Sequence, residues 1–151
     1  MAHDILIVDD ETDIRVLTAG ILQDEGFQTR EAASSAEALS AVDARRPSLV
    51  LLDIWLQGSE LDGLGILKVF KRNHPTLPVL MMSGHGNIET AVTAIKDGAY
   101  DFIEKPFKAD RLIVLVERAI EADRLRRENQ ELRIRAGTAD ELIGRSPAIR
   151  E

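Results

Sequence analysis

Three stretches of the chain are almost wholly apolar, and each stops abruptly at a polar side chain. Ile5-Leu6-Ile7-Val8 meets Asp9-Asp10, Ser48-Leu49-Val50-Leu51-Leu52 meets Asp53, and Pro78-Val79-Leu80-Met81-Met82 meets Ser83. Such runs are too short for helices and too apolar for exposed strands, so they are predicted as buried strands of a parallel sheet. A shorter strand, Asp101-Phe102-Ile103-Glu104, ends at Lys105-Pro106. Phe27 to Ala32 is a weaker strand, polar enough to lie at a sheet edge. The segments between carry helical spacing. From Thr12 to Asp24, Ile14, Leu17, Ile21 and Leu22 form one apolar stripe, closed at Gly26. Ser34 and Glu37 make a capping-box pattern before Ala36, Ala38, Leu39 and Val42, and Pro47 marks the loop into the central strand. A third helix buries Ile66, Leu67 and Phe70 before Pro75. Asn87 caps a fourth, which buries Ile88, Ala91, Val92 and Ile95 and closes at Gly98. A long fifth helix begins after Lys108. Strands alternating with helices imply right-handed crossovers and a doubly wound α/β sheet covered on both faces.

Composition narrows this further. The 151 residues suffice for one domain with a real core, plus a tail, and the chain has no cysteine. Disulfides, thiolate metal sites and cysteine nucleophiles are therefore excluded. Met1 to Asp4 runs straight into a strand without the pattern of a signal peptide, and no apolar run approaches a membrane span. A cytoplasmic protein without membrane contact is expected. Net charge is −7, all of it in residues 1–120, while residues 121–151 balance. An acidic first domain is a poor nucleic-acid binder. In the tail, Arg124, Arg126 and Arg127 interleave with Glu121, Asp123 and Glu128, as on a solvated helix face. His3 and His74 are expected at the surface, and Met81-Met82 in the core.

The polar strand ends carry the candidate chemistry. In a parallel sheet they share one edge, where open α/β folds place their ligands. If the strands ending at Asp9-Asp10 and Asp53 are neighbours, three carboxylates converge, which costs energy unless a cation joins them. Magnesium prefers oxygen ligands and bridges carboxylates to phosphate oxygens. Asp9, Asp10 and Asp53 are its candidate ligands, with the backbone carbonyl of Trp55 as a further one. Asp53 is then placed to attack phosphorus and form an acyl phosphate. Lys105 offers a positive charge to the same oxygens, and Ser83 a hydroxyl.

Val8-Asp9-Asp10-Glu11, Leu52-Asp53-Ile54, Ser83-Gly84 and Lys105-Pro106-Phe107 together resemble the receiver domain of bacterial two-component response regulators, over roughly residues 4–120. The resemblance implies a flavodoxin-like (βα)5 fold with strand order 2-1-3-4-5. It implies that Asp53 accepts a phosphoryl group from a sensor histidine kinase, that Asp9 and Asp10 hold Mg2+, and that Ser83 and Lys105 sense the phosphate. It makes Phe102 a switch aromatic and places a cis bond before Pro106. Phosphorylation would repack Phe102 and alter homodimer contacts through the fourth helix, last strand and fifth helix. On this resemblance the only catalysis is Mg2+-dependent self-phosphorylation and autodephosphorylation. The loop Ile54 to Leu61 lacks the proline the family usually has after its phosphoacceptor, and is about two residues longer. That loop, Ser83-Gly84-His85-Gly86-Asn87 and the tail are similar to the NtrX type within the NtrC group, which implies nitrogen-linked regulation and an NtrY-like kinase. Trp55 and His85 stand two residues past Asp53 and Ser83, offsets that in the family flank the path of water to the acyl phosphate. Trp55 is expected to shield it.

Beyond residue 120, Ala122, Leu125, Asn129, Leu132 and Ala136 fit a and d positions of a short coiled coil. Glu141-Leu142-Ile143-Gly144-Arg145-Ser146-Pro147 resembles the opening of the AAA+ ATPase domain of NtrC-type activators. The expected division is a receiver at 1–120, a helical linker at 121–137 and the start of a truncated ATPase domain at 138–151, with DNA contacted only through absent domains. No nucleotide-binding loop is present. Rival readings are a receiver-like interaction module that is never phosphorylated, a magnesium phosphatase of the haloacid-dehalogenase type, and a flavodoxin. The phosphatase needs an acid where Trp55 stands. The flavodoxin needs a hydroxyl- and glycine-rich loop where Asp9-Asp10-Glu11 stands.

Overall fold

The computed structural model describes residues 3–55, 62–84 and 88–143, without the side chains of Ile88, Arg127 and residues 130–143. Asn87, expected from the sequence to cap the fourth helix, His85 and the segment from residue 144 fall outside the described residues. In chain order the elements are β1 (Asp4–Val8), α1 (Thr12–Asp24), β2 (Gln28–Ala32), α2 (Ser35–Ala44), β3 (Leu49–Asp53), α3 (Gly63–Asn73), β4 (Val79–Ser83), α4 (Ile88–Lys96), β5 (Asp101–Glu104) and α5 (Ala109–Ile143). The strands form one parallel sheet in the order β2-β1-β3-β4-β5. This is the doubly wound, flavodoxin-like arrangement, with the polar β2 at one edge.

Alternation along the central strands divides the core into two layers. Leu6, Val8, Val50, Leu52, Val79 and Met81 point to one face, where Val42 of α2, Ile66, Leu67 and Phe70 of α3, and Ala91 and Ala94 of α4 cover them. Ile5, Ile7, Leu49, Leu51, Leu80 and Met82 point to the other, under Ala19 and Leu22 of α1 and Leu112, Leu115, Val116 and Ala119 of α5. Both faces being covered, each strand reads as a continuous apolar run rather than an alternating one. Each fully buried aliphatic side chain of this kind stabilises the fold by about 1.5–3 kcal/mol.

Three expectations need correction. On α1 the buried residues are Thr18, Ala19 and Leu22, while Leu17 is 55% exposed. The small Ala19 lets the helix approach the sheet closely, and Thr18 is tolerated inside because its hydroxyl donates to the Ile14 carbonyl at 2.7 Å. On α4 the contact runs through Ala91 and Ala94, leaving Val92 and Ile95 exposed. Periodicity finds an apolar stripe, but small side chains decide which part of it meets the sheet. The third concerns Asp123, which is buried rather than on a solvated face, with Arg46 at 3.6 Å. Arg124 does lie on that face, between Glu121 and Glu128. α5 continues as one helix through Gly137 to Ile143.

Local caps follow their residues. Ser34 accepts from the Glu37 N–H at 3.2 Å, and Glu37 reaches back to the Ala33 N–H at 2.9 Å. Asp62 caps α3 by accepting from the Gly65 N–H at 2.9 Å. Gly26 and Gly98 take positive φ where α1 and α4 end.

Candidate functional site

Strand register builds the site. Val8 stands beside Leu52, so the next residues, Asp9 and Asp53, leave adjacent strands at one edge. β3 pairs with β4 at Asp53 and Met82, and β4 with β5 at Ser83 and Glu104. The Lys105 N–H then donates to the Ser83 carbonyl at 2.7 Å, which carries the lysine past the sheet to the same edge. The sheet's connections reverse direction between β1 and β3, and such a switch point opens a crevice at the C-terminal strand ends. Every polar strand end singled out in the sequence lies along this edge.

Asp9 is fully buried and Asp53 nearly so, while Asp10 is half-buried. Oxygens of the three carboxylates lie within 4.8 Å of one another. The Lys105 ammonium reaches into the cluster, 2.7 Å from Asp9 and 3.4 Å from Asp53, with Glu11 at 3.8 Å. Backbone N–H groups hold the acids as well: Glu11 donates to Asp9 at 2.9 Å and Trp55 to Asp53 at 3.3 Å. Burial pushes the Asp53 carboxyl up to about 6, and the Asp9 charge adds to the rise; Lys105 and the Trp55 N–H pull the other way without cancelling it. Burial alone would lower Lys105, but its hydrogen bond to Asp9 and the charges of Asp53 and Asp9 raise it overall. The lysine therefore stays a cation beside Asp53, whose burial makes it a weaker acid than an ordinary aspartate.

The donor set fits Mg2+. All three side chains offer hard oxygens, and ligands of an octahedral Mg2+ ion at about 2.1 Å lie roughly 3 to 4 Å apart. A spread within 4.8 Å closes to that range by small side-chain rotations. Trp55 is half exposed at the rim. Phe102 is half-buried and packs against the α2–α3–α4 layer, and the Lys105–Pro106 bond is cis.

Two contributors were not legible as site residues. Gly63 opens α3 with its N–H donating to the Ile54 carbonyl at 2.9 Å, which brings the two ends of the long loop together. A Cβ there would lie 2.2 Å from the Asp53 carbonyl oxygen and 2.6 Å from the Ile54 Cα. The sequence shows Asp62-Gly63 only as a turn signal, because what requires glycine is a strand distant in sequence. Arg15 donates to the Asp9 carbonyl at 2.6 Å, to Glu31 at 3.1 Å and to Thr12 at 3.2 Å. By helical spacing alone it is one more solvated arginine.

The family model for the response regulator receiver domain matches residues 5–117. The chain belongs to that family. This receiver is 62% identical over its full length to the nitrogen assimilation regulatory protein NtrX of Azorhizobium caulinodans, and 41% identical over 98% of its length to the C4-dicarboxylate transport transcriptional regulatory protein DctD of Rhizobium meliloti. It spans only 33% and 32% of those two proteins. Among solved structures, the receiver domain of NtrX from Brucella abortus superposes with a TM-score of 0.77 at 68% identity, over 78% of this chain and 98% of that one. The chain is thus a receiver of the NtrX/NtrC type, the kind found in two-component response regulators.

Proposed function

We propose that Asp53 is the phosphoacceptor of this receiver and that the domain is the input switch of a nitrogen-linked transcriptional regulator acting in the cytoplasm. The observation that carries this is the nearly buried Asp53, 3.4 Å from the Lys105 ammonium and clustered with Asp9 and Asp10. A carboxylate oxygen of Asp53 attacks the phosphorus of a phosphohistidine on a sensor kinase of NtrY type. The new O–P bond forms as the N–P bond breaks, and the departing imidazole takes its proton from solvent. Asp9, Asp10, Asp53 and the Trp55 carbonyl are the residues to hold Mg2+, which when bound neutralises charge on the transferring oxygens. Lys105, already preorganised by Asp9, shifts toward the new phosphoryl group and keeps its charge throughout. Ser83, at the end of β4, supplies a hydroxyl to another phosphoryl oxygen. The two contacts draw the β4 and β5 ends inward and repack Phe102, a local charge event biasing a two-state face. Beyond accepting the phosphoryl group and losing it to water, the domain performs no turnover.

That face is made by α4, β5 and α5. Val92 and Ile95 of α4, Tyr100 before β5 and Val114 of α5 are its exposed apolar residues. It is the surface through which two copies pair on phosphorylation, with the output passed along α5 to domains beyond this chain that contact DNA. Incubation with a small phosphodonor and Mg2+ tests the reading on a phosphate-affinity gel and by gel filtration. The wild type is expected to shift on both, and Asp53→Asn on neither. A wild type that never shifts leaves a receiver-like module that is not phosphorylated.

A further inference from the structure

Asp9 directly follows β1, and its N–H still donates to the Ala32 carbonyl at the end of β2, at 3.1 Å. Its own carbonyl lies beyond the ladder, and that carbonyl belongs to the peptide leading into Asp10. The plane of this peptide sets the direction in which the Asp10 carboxylate leaves the chain. The donor it receives is the Arg15 guanidinium at 2.6 Å. Arg15 is itself fixed from two other sides, by Glu31 on β2 and Thr12 at the start of α1. Its side chain is only 13% exposed, so this is a held fork rather than a waving surface cation. Asp9's carboxylate, by contrast, has its own holders in Lys105 and the Glu11 N–H. Among the described residues no hydrogen bond or ion pair holds the Asp10 carboxylate, so the main chain sets its direction.

We infer that Arg15 is a positioning residue for the divalent-cation site, locking the Asp9–Asp10 peptide so that both carboxylates meet the ion without reorganising. The inference rests on the Mg2+ reading above. Arg15 touches neither the ion nor the phosphoryl group. Its action has a distinctive sign. A positive charge close to the acids repels a cation, so if charge alone mattered, removing Arg15 would tighten Mg2+ binding. If the peptide lock matters, removing it weakens binding, because outer residues that orient ligands are worth about tenfold or more in metal affinity.

Trp55 is the single tryptophan, and its N–H is bonded to Asp53, so its emission is a local probe. Mg2+ is titrated against Trp55 emission, and Mn2+ against the electron paramagnetic resonance signal of the free ion, in wild type, Arg15→Ala, Arg15→Lys and Arg30→Ala. Arg30 braces the opposite end of β1 through Asp4, at 2.6 Å, and serves as the purely structural control. Arg15→Ala is expected to raise both midpoints about tenfold, while phosphorylation at saturating Mg2+ falls much less. Arg15→Lys, which keeps a donor for the Asp9 carbonyl, recovers most of the affinity. Arg30→Ala lowers the unfolding temperature and leaves the midpoints in place. Unchanged or lowered midpoints in Arg15→Ala overturn the inference alone; a wild type that binds neither ion overturns the Mg2+ reading beneath it.

Discussion

Replacing Gly63 by alanine asks whether the junction of β3 and α3 is as tight as the site requires. The added Cβ would stand 2.2 Å from the Asp53 carbonyl oxygen, 2.6 Å from the Ile54 Cα and 2.7 Å from the Ile54 carbonyl oxygen. All three are backbone atoms, so no side chain can swing aside. Relief requires α3 to withdraw by roughly 1 Å, and a gap of that size forfeits about a quarter to a half of the dispersion energy at the contacts it opens. Those contacts belong to Ile66, Leu67 and Phe70, which are all but fully buried beneath the helix. Overpacking of this kind costs about 1–3 kcal/mol in ordinary cores, and the backbone clash places Gly63→Ala at or above the upper end, about 3 kcal/mol. With a urea slope of about 1–3 kcal/mol/M, the unfolding midpoint falls by roughly 1–3 M. Gly20 supplies the contrast. It is exposed in the middle of α1 with nothing within 4 Å of its would-be Cβ, so Gly20→Ala gains about 0.5–1 kcal/mol. Urea unfolding of both variants without Mg2+ is the assay. A Gly63→Ala unfolding free energy within about 0.5 kcal/mol of wild type would refute the reasoning.

Other consequences are as direct. In metal-free protein the Asp53 carboxyl carbon is expected to titrate with a midpoint of about 6 by NMR, and a midpoint at the ordinary 3.8 would contradict its burial. Because the folded value is raised, the neutral form is favoured in the fold. Asp53's contribution to stability is therefore largest below the unfolded value and is lost as pH rises toward 6. A shift of this size corresponds to at most about 3 kcal/mol, cut to roughly 1–2 kcal/mol by solvent at the open mouth of the site. Mg2+ affinity runs the other way and strengthens as pH rises through the same range, since the ion displaces the proton. Ser34→Ala removes the α2 cap and is expected to cost about 1 kcal/mol in chemical unfolding, with no effect on Mg2+ binding. Trp55→Ala is expected to shorten the phosphorylated half-life, measured by loss of the gel-shifted band, and an unchanged half-life rejects its role as a shield.

The sheet and its active edge were legible because physics acts on them locally. A strand buried on both faces must be apolar throughout, and a polar residue ending it must lie at the rim, so Asp9, Asp10, Asp53, Ser83 and Lys105 stood out from their neighbours alone. Helix faces were less legible. Ile14-Leu17-Ile21 and Val92-Ile95 satisfy helical spacing, yet Ala19, Ala91 and Ala94 make the closest approaches to the sheet. Spacing measures apolarity and is blind to size. Gly63, Arg15 and the Arg46–Asp123 pair were illegible for another reason. Each owes its role to a partner brought near only by the fold: the end of β3, the turn after β1, and the middle of α5 against the loop before β3.

The central claim is that one aspartate becomes an acyl phosphate. Borohydride reduction of the protein after treatment with a phosphodonor and Mg2+, followed by peptide mapping, reads the modified residue directly. The expected result is conversion at residue 53 alone, abolished by omitting the divalent ion and by Asp53→Asn. Modification at Asp9 or Asp10 instead, or no modified peptide at all, would contradict it.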